Sequence, residues 1–140
     1  MNKYVTGFLF NPDTNKVCLI KKNKPAWQKG RLNGVGGHIE AGERPKDAMT
    51  REFWEEAGED KIEWRQFLFV TGNEYELYCF TAKADSQNIK NIRTMTDEII
   101  DWYPVEALPE NILDNLKWVI PMANYKFEIT GTIFHESEEC

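Results

Sequence analysis

The residues best suited to chemistry are three glutamates in a segment with helical periodicity. Glu52, Glu55 and Glu56 stand at positions i, i+3 and i+4, so they project from one face of a helix. Carboxylates this close repel one another, and a divalent cation would relieve the repulsion. Mg²⁺ prefers such hard oxygen ligands, completed by water and by substrate phosphate oxygens. The alternative interpretation is an acidic face that is simply solvated.

A glycine-rich segment precedes this helix. Gly34, Gly36, Gly37 and Gly42 permit a tightly bent loop whose backbone can approach a ligand. Glu43 lies just before the helix, where negative charge suits the helix dipole. Because glycine-rich turns are common, it is the joint spacing with the glutamates that carries the interpretation.

Together these segments resemble the Nudix (MutT-like) box. The pattern is Gly37, five residues, Glu43, seven residues, Arg51-Glu52-Phe53, one residue, Glu55-Glu56, one residue and Gly58. The box covers residues 37–59, and a weaker resemblance extends over most of the chain. Glu59 departs from the pattern, which normally ends on an aliphatic residue. We expect this change to affect the packing after the helix and not the metal site.

The resemblance implies an enzyme, a Nudix hydrolase that cleaves a diphosphate anhydride. Residues 32–37, 102–109 and 118–121 are similar to the nucleoside-triphosphate branch of the family. The expected reaction is therefore Mg²⁺-dependent hydrolysis of a nucleoside triphosphate, normal or oxidised, to the monophosphate and pyrophosphate, with Mn²⁺ as a substitute metal. One alternative is hydrolysis of another conjugate, such as ADP-ribose, a dinucleotide or a nucleotide sugar. A second is a nucleotide-binding module without turnover, against which the complete set of box glutamates argues.

The resemblance also implies the metal ligands. Glu52, Glu55 and Glu56 would bind the cation, with a backbone carbonyl near Gly36 or Gly37 as a further ligand. Glu55 or Glu56 would in addition orient or deprotonate the attacking water, and the sequence does not choose between them. A zinc site is poorly supported, because the chain has two histidines and no CxxC pair.

Other box-related residues have more than one interpretation. Arg51 is expected to pair with a carboxylate such as Glu43 and to hold the helix against the loop, or alternatively to contact phosphate. Glu98, in preference to its neighbour Asp97, would be an extra metal ligand or base on the loop before Trp102. The alternative is a solvated loop carboxylate. His38 is expected to be a plain exposed loop residue.

Four residues are candidates for binding the nucleotide. Asn33 carries a donor and an acceptor on one amide, which suits a base edge, and related oxidised-purine triphosphatases place an Asn here. Its alternative is a turn residue, and Trp27 would stack on the base. Asp114 and Asn115 are further base readers, although Ile112 and Asn115 depart from the oxidised-purine pattern. Asp114 is equally explained as a helix cap.

Length and charge bound the remaining possibilities. With 140 residues and a net charge of -6, the chain fits one acidic domain that binds a small nucleotide and not a nucleic acid polymer. We expect residues 1–135 to form a single Nudix hydrolase domain and residues 136–140 a short acidic tail. The scattered cysteines and the lack of a long apolar run favour a cytoplasmic protein without membrane association. We expect the protein to be a monomer or a homodimer. A basic cluster around the long loop is expected to attract polyphosphate: Lys21, Lys22, Lys24, Lys29 and Arg31.

The elements that must position these residues follow from periodicity and turn signals. The best helix covers 44–57, with Met49, Phe53 and Ala57 as its buried stripe and Gly58 as its left-handed end. The other expected elements are strands at 4–10, 17–20, 62–71, 75–82, 102–105 and 125–133, loops at 21–36 and 85–96, and a helix at 113–125 interrupted or bounded at Pro121, with Trp118 in the core. The fold class is α/β, a Nudix-type α/β/α sandwich with a mixed β-sheet between helices.

Overall fold

A computed structural model describes residues 1–125 and 130–135. Within these residues the strands are β1 (Asn2–Asn11), β2 (Lys16–Lys21), β3 (Leu32–Asn33), β4 (Val35–His38), β5 (Arg65–Thr71), β6 (Tyr75–Lys83), β7 (Ile99–Pro104) and β8 (Gly131–Phe134). The α-helices are α1 (Pro45–Ala57), α2 (Ser86–Asn91) and α3 (Leu116–Ala123), and two short 3-10 helices cover Ala26–Gln28 and Val105–Ala107.

Strand β1 is the centre of a mixed sheet. The strand order is β3-β2-β1-β6-β5-β8, with β4 also paired to β1 and β7 to β2. β1 runs parallel to β6, and β5 runs parallel to β8, while the other pairs are antiparallel. A strand with helices over both faces must be apolar on both, which explains the continuous run of buried residues in β1.

Successive residues of β1 point to opposite layers. Val5 and Leu9 pack in the cluster that includes the buried residues of α1. Phe8 and Phe10 pack in the cluster that includes the buried residues of α3. Helix α1 therefore covers one face of the sheet and α3 the other, which confirms the predicted α/β/α sandwich.

Helix α1 follows its sequence signals closely. Pro45 is its first residue, and Met49, Phe53 and Ala57 are fully buried. Gly58 ends it in the left-handed conformation with φ 76°. The predicted stripe and the predicted cap are both confirmed, and Glu52 and Glu56 lie beside the stripe while Glu55 is exposed.

The expectation of a loop over 21–36 is wrong at its end. Gly36 and Gly37 belong to β4 and pair with Thr6 and Val5 of β1. A Cβ on Gly36 would overlap the Val5 carbonyl oxygen, so Gly36 allows a close approach of two backbones and does not make a bend. Glycine is disfavoured in strands in general, which is why composition alone indicates a loop here.

The expectation of a loop over 85–96 is wrong in its first half, because α2 occupies residues 86–91, while residues 92–96 form no helix or strand. Asp85 caps this helix: its side chain accepts the Asn88 N–H at 2.8 Å, and the Asn88 side chain accepts the Asp85 N–H at 2.9 Å. This reciprocal pair is a capping box with Asn in place of Glu or Gln. The helix is only six residues long and polar, so it has no apolar period to reveal it.

The C-terminal third differs from the expectation in three places. Helix α3 begins at Leu116 and not at residue 113, and Pro121 lies inside it without ending it. Trp118 is 45% exposed and not a core residue. The last strand, β8, covers Gly131–Phe134, whereas the predicted range is 125–133. Residues 126–129 and the predicted tail 136–140 lie outside the described residues. No helix in the described ranges has the length and apolarity needed to span a bilayer.

Candidate active site

Helix α1 presents Glu52 to strand β4. Glu52 is buried, with 9% of its surface exposed, whereas Glu56 is half-buried and Glu55 is exposed. Gly37 lies directly against Glu52, and a Cβ there would be 2.5 Å from Glu52 Oε1. Burial raises the pKa of Glu52, Arg51 opposes this rise, and the charges of Glu55 and Glu56 add to it. The missing side chain of Gly37 is therefore the reason why this carboxylate fits.

Arg51 joins carboxylates from two segments. Its Nε and Nη2 donate to Glu43 Oε2 and Oε1 at 2.8 and 3.0 Å, a bidentate pair. Its Nη1 lies 3.0 Å from both Glu52 Oε1 and Glu55 Oε1, and Nη2 also donates to the His38 carbonyl. The hydrogen bond from Arg51 lowers the pKa of Glu43. The predicted Arg51–Glu43 pair is present, and it fastens the loop to the helix, while His38 is exposed as expected.

Glu56 is held by a residue that the sequence analysis missed. Thr96 Oγ1 donates to Glu56 Oε2 at 2.9 Å. The same hydroxyl accepts the Glu98 N–H at 3.1 Å. Burial raises the pKa of Glu56, Thr96 opposes the rise and the charge of Glu98 adds to it. In the sequence, the only available signal is a hydroxyl two residues before a candidate acid.

Glu98 is buried, not a solvated loop carboxylate, with 4% of its surface exposed. Its Oε1 accepts from Lys22 Nζ at 3.1 Å, and its Oε2 accepts the Asn23 N–H at 2.6 Å. Although burial opposes it, these bonds hold the pKa of Glu98 below its ordinary value. Asp97 is exposed. Lys22 was expected to attract polyphosphate, but its ammonium is engaged by Glu98 in a nearly buried ion pair.

The donor chemistry of this face fits a hard divalent cation. In residues 1–125 and 130–135, no group of three or more His, Cys, Asp or Glu side chains is already arranged to hold a metal ion. Arg51 stands between Glu52 and Glu55 and donates to both, which separates these two carboxylates. Burial and the neighbouring carboxylates raise the pKa of Glu52 and Glu56, which means that the negative charge of these two groups is poorly compensated, and a hard divalent cation would compensate it.

The predicted base-reading residues lie on two adjoining segments. Asn33 Nδ2 donates to Gln28 Oε1 at 3.2 Å, and Asn33 Oδ1 accepts the Gly34 N–H at 2.7 Å. Both ends of this amide are therefore engaged within the segment. Trp27, in the first 3-10 helix, is 43% exposed and available to stack on a planar ligand.

The second segment contains Asp114 and Asn115 and adjoins the first through a backbone bridge between Leu32 and Ile112. Asp114 forms a 3.2 Å ion pair with Arg31 and is largely exposed. It does not cap α3, because Asn115 occupies the N-cap position and makes no capping bond through its side chain. Arg31 is thus a second member of the basic cluster that is engaged by an acid.

Glu59 lies behind the site and not in it. It is 3% exposed and accepts four hydrogen bonds, from the N–H groups of Asp60 and Lys61 and from the amides of Asn88 and Asn91. Burial favours the neutral acid, but these donors outweigh it and lower the pKa of Glu59. The expectation that this departure affects packing after the helix agrees with its position, since it ties α2 to the end of α1.

Two open surface depressions lie near α1. One of about 630 Å³ lies at the start of α1 and another of about 330 Å³ beside its outer side. Neither is lined by Glu52, Glu55 or Glu56. The candidate site is identified by its charged groups and not by concavity.

Comparison with known proteins gives one family match and several structural matches. The family model described as NUDIX domain matches residues 2–122. A MutT NUDIX hydrolase from Burkholderia pseudomallei is 17% identical, with a TM-score of 0.71 over 88% of this chain and 98% of that one. A structure from work on MutT of Aliivibrio salmonicida and Vibrio cholerae is 23% identical, with a TM-score of 0.69 over 90% and 98% of the two chains. A NUDIX family hydrolase from Clostridium perfringens is 20% identical, with a TM-score of 0.70 over 87% and 94%. At these identities the three structures establish a shared fold.

Proposed function

The chain belongs to the Nudix hydrolase family, and from that premise we propose that it hydrolyses a nucleoside triphosphate, normal or oxidised, to the monophosphate and pyrophosphate. Members of this family generally use divalent cations, and we propose Mg²⁺ here. The domain is proposed to comprise residues 1–135. The observation that carries the proposal is the set of box glutamates on one side of α1, with Glu52 buried beneath Gly37.

The proposed metal ligands are Glu52, Glu55 and Glu56, together with the backbone carbonyl of Gly37. A bound Mg²⁺ would neutralise phosphoryl oxygens and make an attacking water more acidic. Arg51 keeps the carboxylates close together and joins the helix to the glycine segment through Glu43. Its guanidinium is fully occupied by these groups, which supports a structural role over a phosphate contact.

The remaining roles, proton transfer and nucleotide binding, are assigned to side chains around the proposed metal site. Glu55 or Glu56 accepts the proton of the attacking water, and Glu98 is the further acid near them. Glu98 is bound by Lys22 and by backbone N–H groups, an environment that keeps it ionised. Trp27 would stack on the base, and Asn33, Asp114 and Asn115 would contact its edge.

The proposal is tested by measuring phosphate products with a nucleotide panel and Mg²⁺. The panel contains normal and oxidised triphosphates, ADP-ribose, dinucleoside polyphosphates and nucleotide sugars. We expect pyrophosphate and a monophosphate from at least one triphosphate. Glu56→Gln should lower that rate by at least about 10²-fold, because it removes the negative charge of a side chain that binds the metal or takes the proton. Glu63→Gln, which neutralises an exposed glutamate outside the site, is the matched control and should leave it unchanged.

Other outcomes would reassign the function. Cleavage confined to ADP-ribose, a dinucleotide or a nucleotide sugar would show that the substrate is that diphosphate conjugate and not a nucleoside triphosphate. Metal-dependent binding of a panel compound without turnover would indicate a nucleotide-binding module. Equal activity of the wild type and Glu56→Gln would contradict the assignment of this face as the reaction centre.

A further inference from the structure

Residues 92–98 dock on the carboxyl end of α1. The Arg93 N–H donates to the Ala57 carbonyl at 3.0 Å, and the Met95 N–H donates to the Glu56 carbonyl at 3.2 Å. The last carbonyls of a helix lack partners within the helix, so these bonds satisfy groups that would otherwise need water. The segment is thereby fixed relative to the backbone of Glu56 itself.

The two ends of this segment are also held. On one side, Asn88 and Asn91 of α2 each donate to Glu59 Oε2 at 3.1 Å, and Glu59 is buried. On the other side, β7 pairs with β2 over six residue pairs, beginning at Ile99. The path of the chain past α1 is therefore determined by contacts before, within and after the segment.

Thr96 is the side chain of this segment that reaches a box carboxylate. A hydroxyl has one hydrogen, and the Glu98 N–H occupies an acceptor position of Thr96 Oγ1 at 3.1 Å. The hydrogen is directed to Glu56 Oε2, 2.9 Å away. One oxygen of Glu56 is thus fixed by Thr96, and the same hydroxyl is bonded to the backbone of the second acid, Glu98.

We propose that Thr96 is a positioning residue, which orients the carboxylate of Glu56 for cation binding and sets its place relative to Glu98. The inference rests on the proposed metal site and adds to it a residue outside the box, forty positions away in the sequence. Partners that orient metal ligands commonly change affinity or activity by about 10- to 100-fold when they are removed.

The test uses Mn²⁺ alone as the probe, titrated calorimetrically into the full chain without nucleotide. Thr96→Val removes the hydroxyl at nearly constant shape, and Thr96→Ser retains it. Thr94→Val is the matched control, because Thr94 bonds only to the backbone of Ile100 among the described residues. We expect the dissociation constant to rise about tenfold or more in Thr96→Val. It should stay within about threefold of the wild type in the other two variants.

Thermal unfolding of each variant checks that the chain is folded. Turnover of the active triphosphate gives a second readout, in which Thr96→Val should lower kcat with little change in KM. If Thr96→Val bound Mn²⁺ as tightly as the wild type, this inference would be overturned while the proposed metal site would stand. An equal loss of Mn²⁺ affinity in Thr94→Val would also overturn it, because the effect would then come from the segment as a whole and not from the Thr96 hydroxyl. Failure of the wild type to bind Mn²⁺ would overturn the proposed metal site and this inference with it.

Discussion

The contact between Gly37 and Glu52 makes a quantitative prediction for Gly37→Ala. The new Cβ would lie 2.5 Å from Glu52 Oε1, 2.6 Å from Cδ and 2.7 Å from Oε2, where ordinary contact begins at 3.4 Å. The carboxyl group must therefore withdraw by about 0.9 Å. Displacement of a reacting or ligating group by about 1 Å can cost on the order of 10²-fold in rate, equivalent to about 2.7 kcal/mol.

The stability of Gly37→Ala should change little. The atoms that it meets are the far end of a side chain, which can swing away, and alanine restricts the unfolded chain more than glycine does by about 0.4–1 kcal/mol. We therefore expect kcat/KM for the active triphosphate to fall about 10²-fold while the urea midpoint stays nearly constant. The assay is release of pyrophosphate, with Mn²⁺ titration as an independent measure of the site.

Gly42→Ala is the informative control because it should give the opposite pattern. Gly42 has φ +79° and no atom within 4 Å of its would-be Cβ. A side chain there is strained by about 1–2 kcal/mol without touching the site, so stability should fall and activity should persist. If Gly37→Ala retained its rate within about threefold, the reasoning that Gly37 sets the place of Glu52 would be refuted.

Further predictions concern the groups around the site. Glu59→Gln should lower the free energy of unfolding by about 1–3 kcal/mol, since it leaves buried donors without full acceptors. Because the folded-state pKa of Glu59 lies below its ordinary value of about 4.3, this contribution is complete above that pH and is lost as the pH falls through the folded pKa. Urea titrations of wild type and variant between pH 3 and 7 should therefore converge at the acid end, and a constant gap would contradict this. Arg51→Lys should lose about 1–2 kcal/mol in the same assay, because a lysine cannot form the bidentate pair with Glu43, and an unchanged midpoint would argue against it. Burial raises the pKa of Cys18 and Cys79 to about 12, so a thiol reagent at pH 8 should modify them only after unfolding; rapid labelling of either one in the native protein, told apart from Cys140 by peptide mapping, would disprove their enclosure.

The predictable part of the molecule is the part with local signals. Helix α1 has a Pro start, an apolar period and a Gly end, so its bounds and the side that its glutamates share follow from the sequence. Helix α2 has no apolar period, although Asp85 and Asn88 at capping distance could have indicated it. The contact of Thr96 with Glu56 depends on tertiary docking across forty residues, for which no local pattern exists.

Trp118 was misplaced for a different reason, the phase of a helix. The buried residues of α3 are Leu116, Val119, Ile120 and Ala123, a stripe at i, i+3, i+4 and i+7. A residue at 118 lies outside this stripe. Size and aromatic character favour burial, but the helical phase decides it.

The position of β1 has a consequence for synthesis of the chain. Its hairpin with β2 and its pairing with β4 involve residues up to 38, yet its other edge pairs with β6 over nine residues, from Asn2 with Tyr75 to Phe10 with Lys83. β1 is therefore synthesised well before its partner β6 and waits, with one row of backbone N–H and C=O groups unpaired, until the chain has been made as far as Lys83. Nascent chains that stop before Tyr75 would leave this edge without its partner strand, and we expect such chains to associate with one another through it.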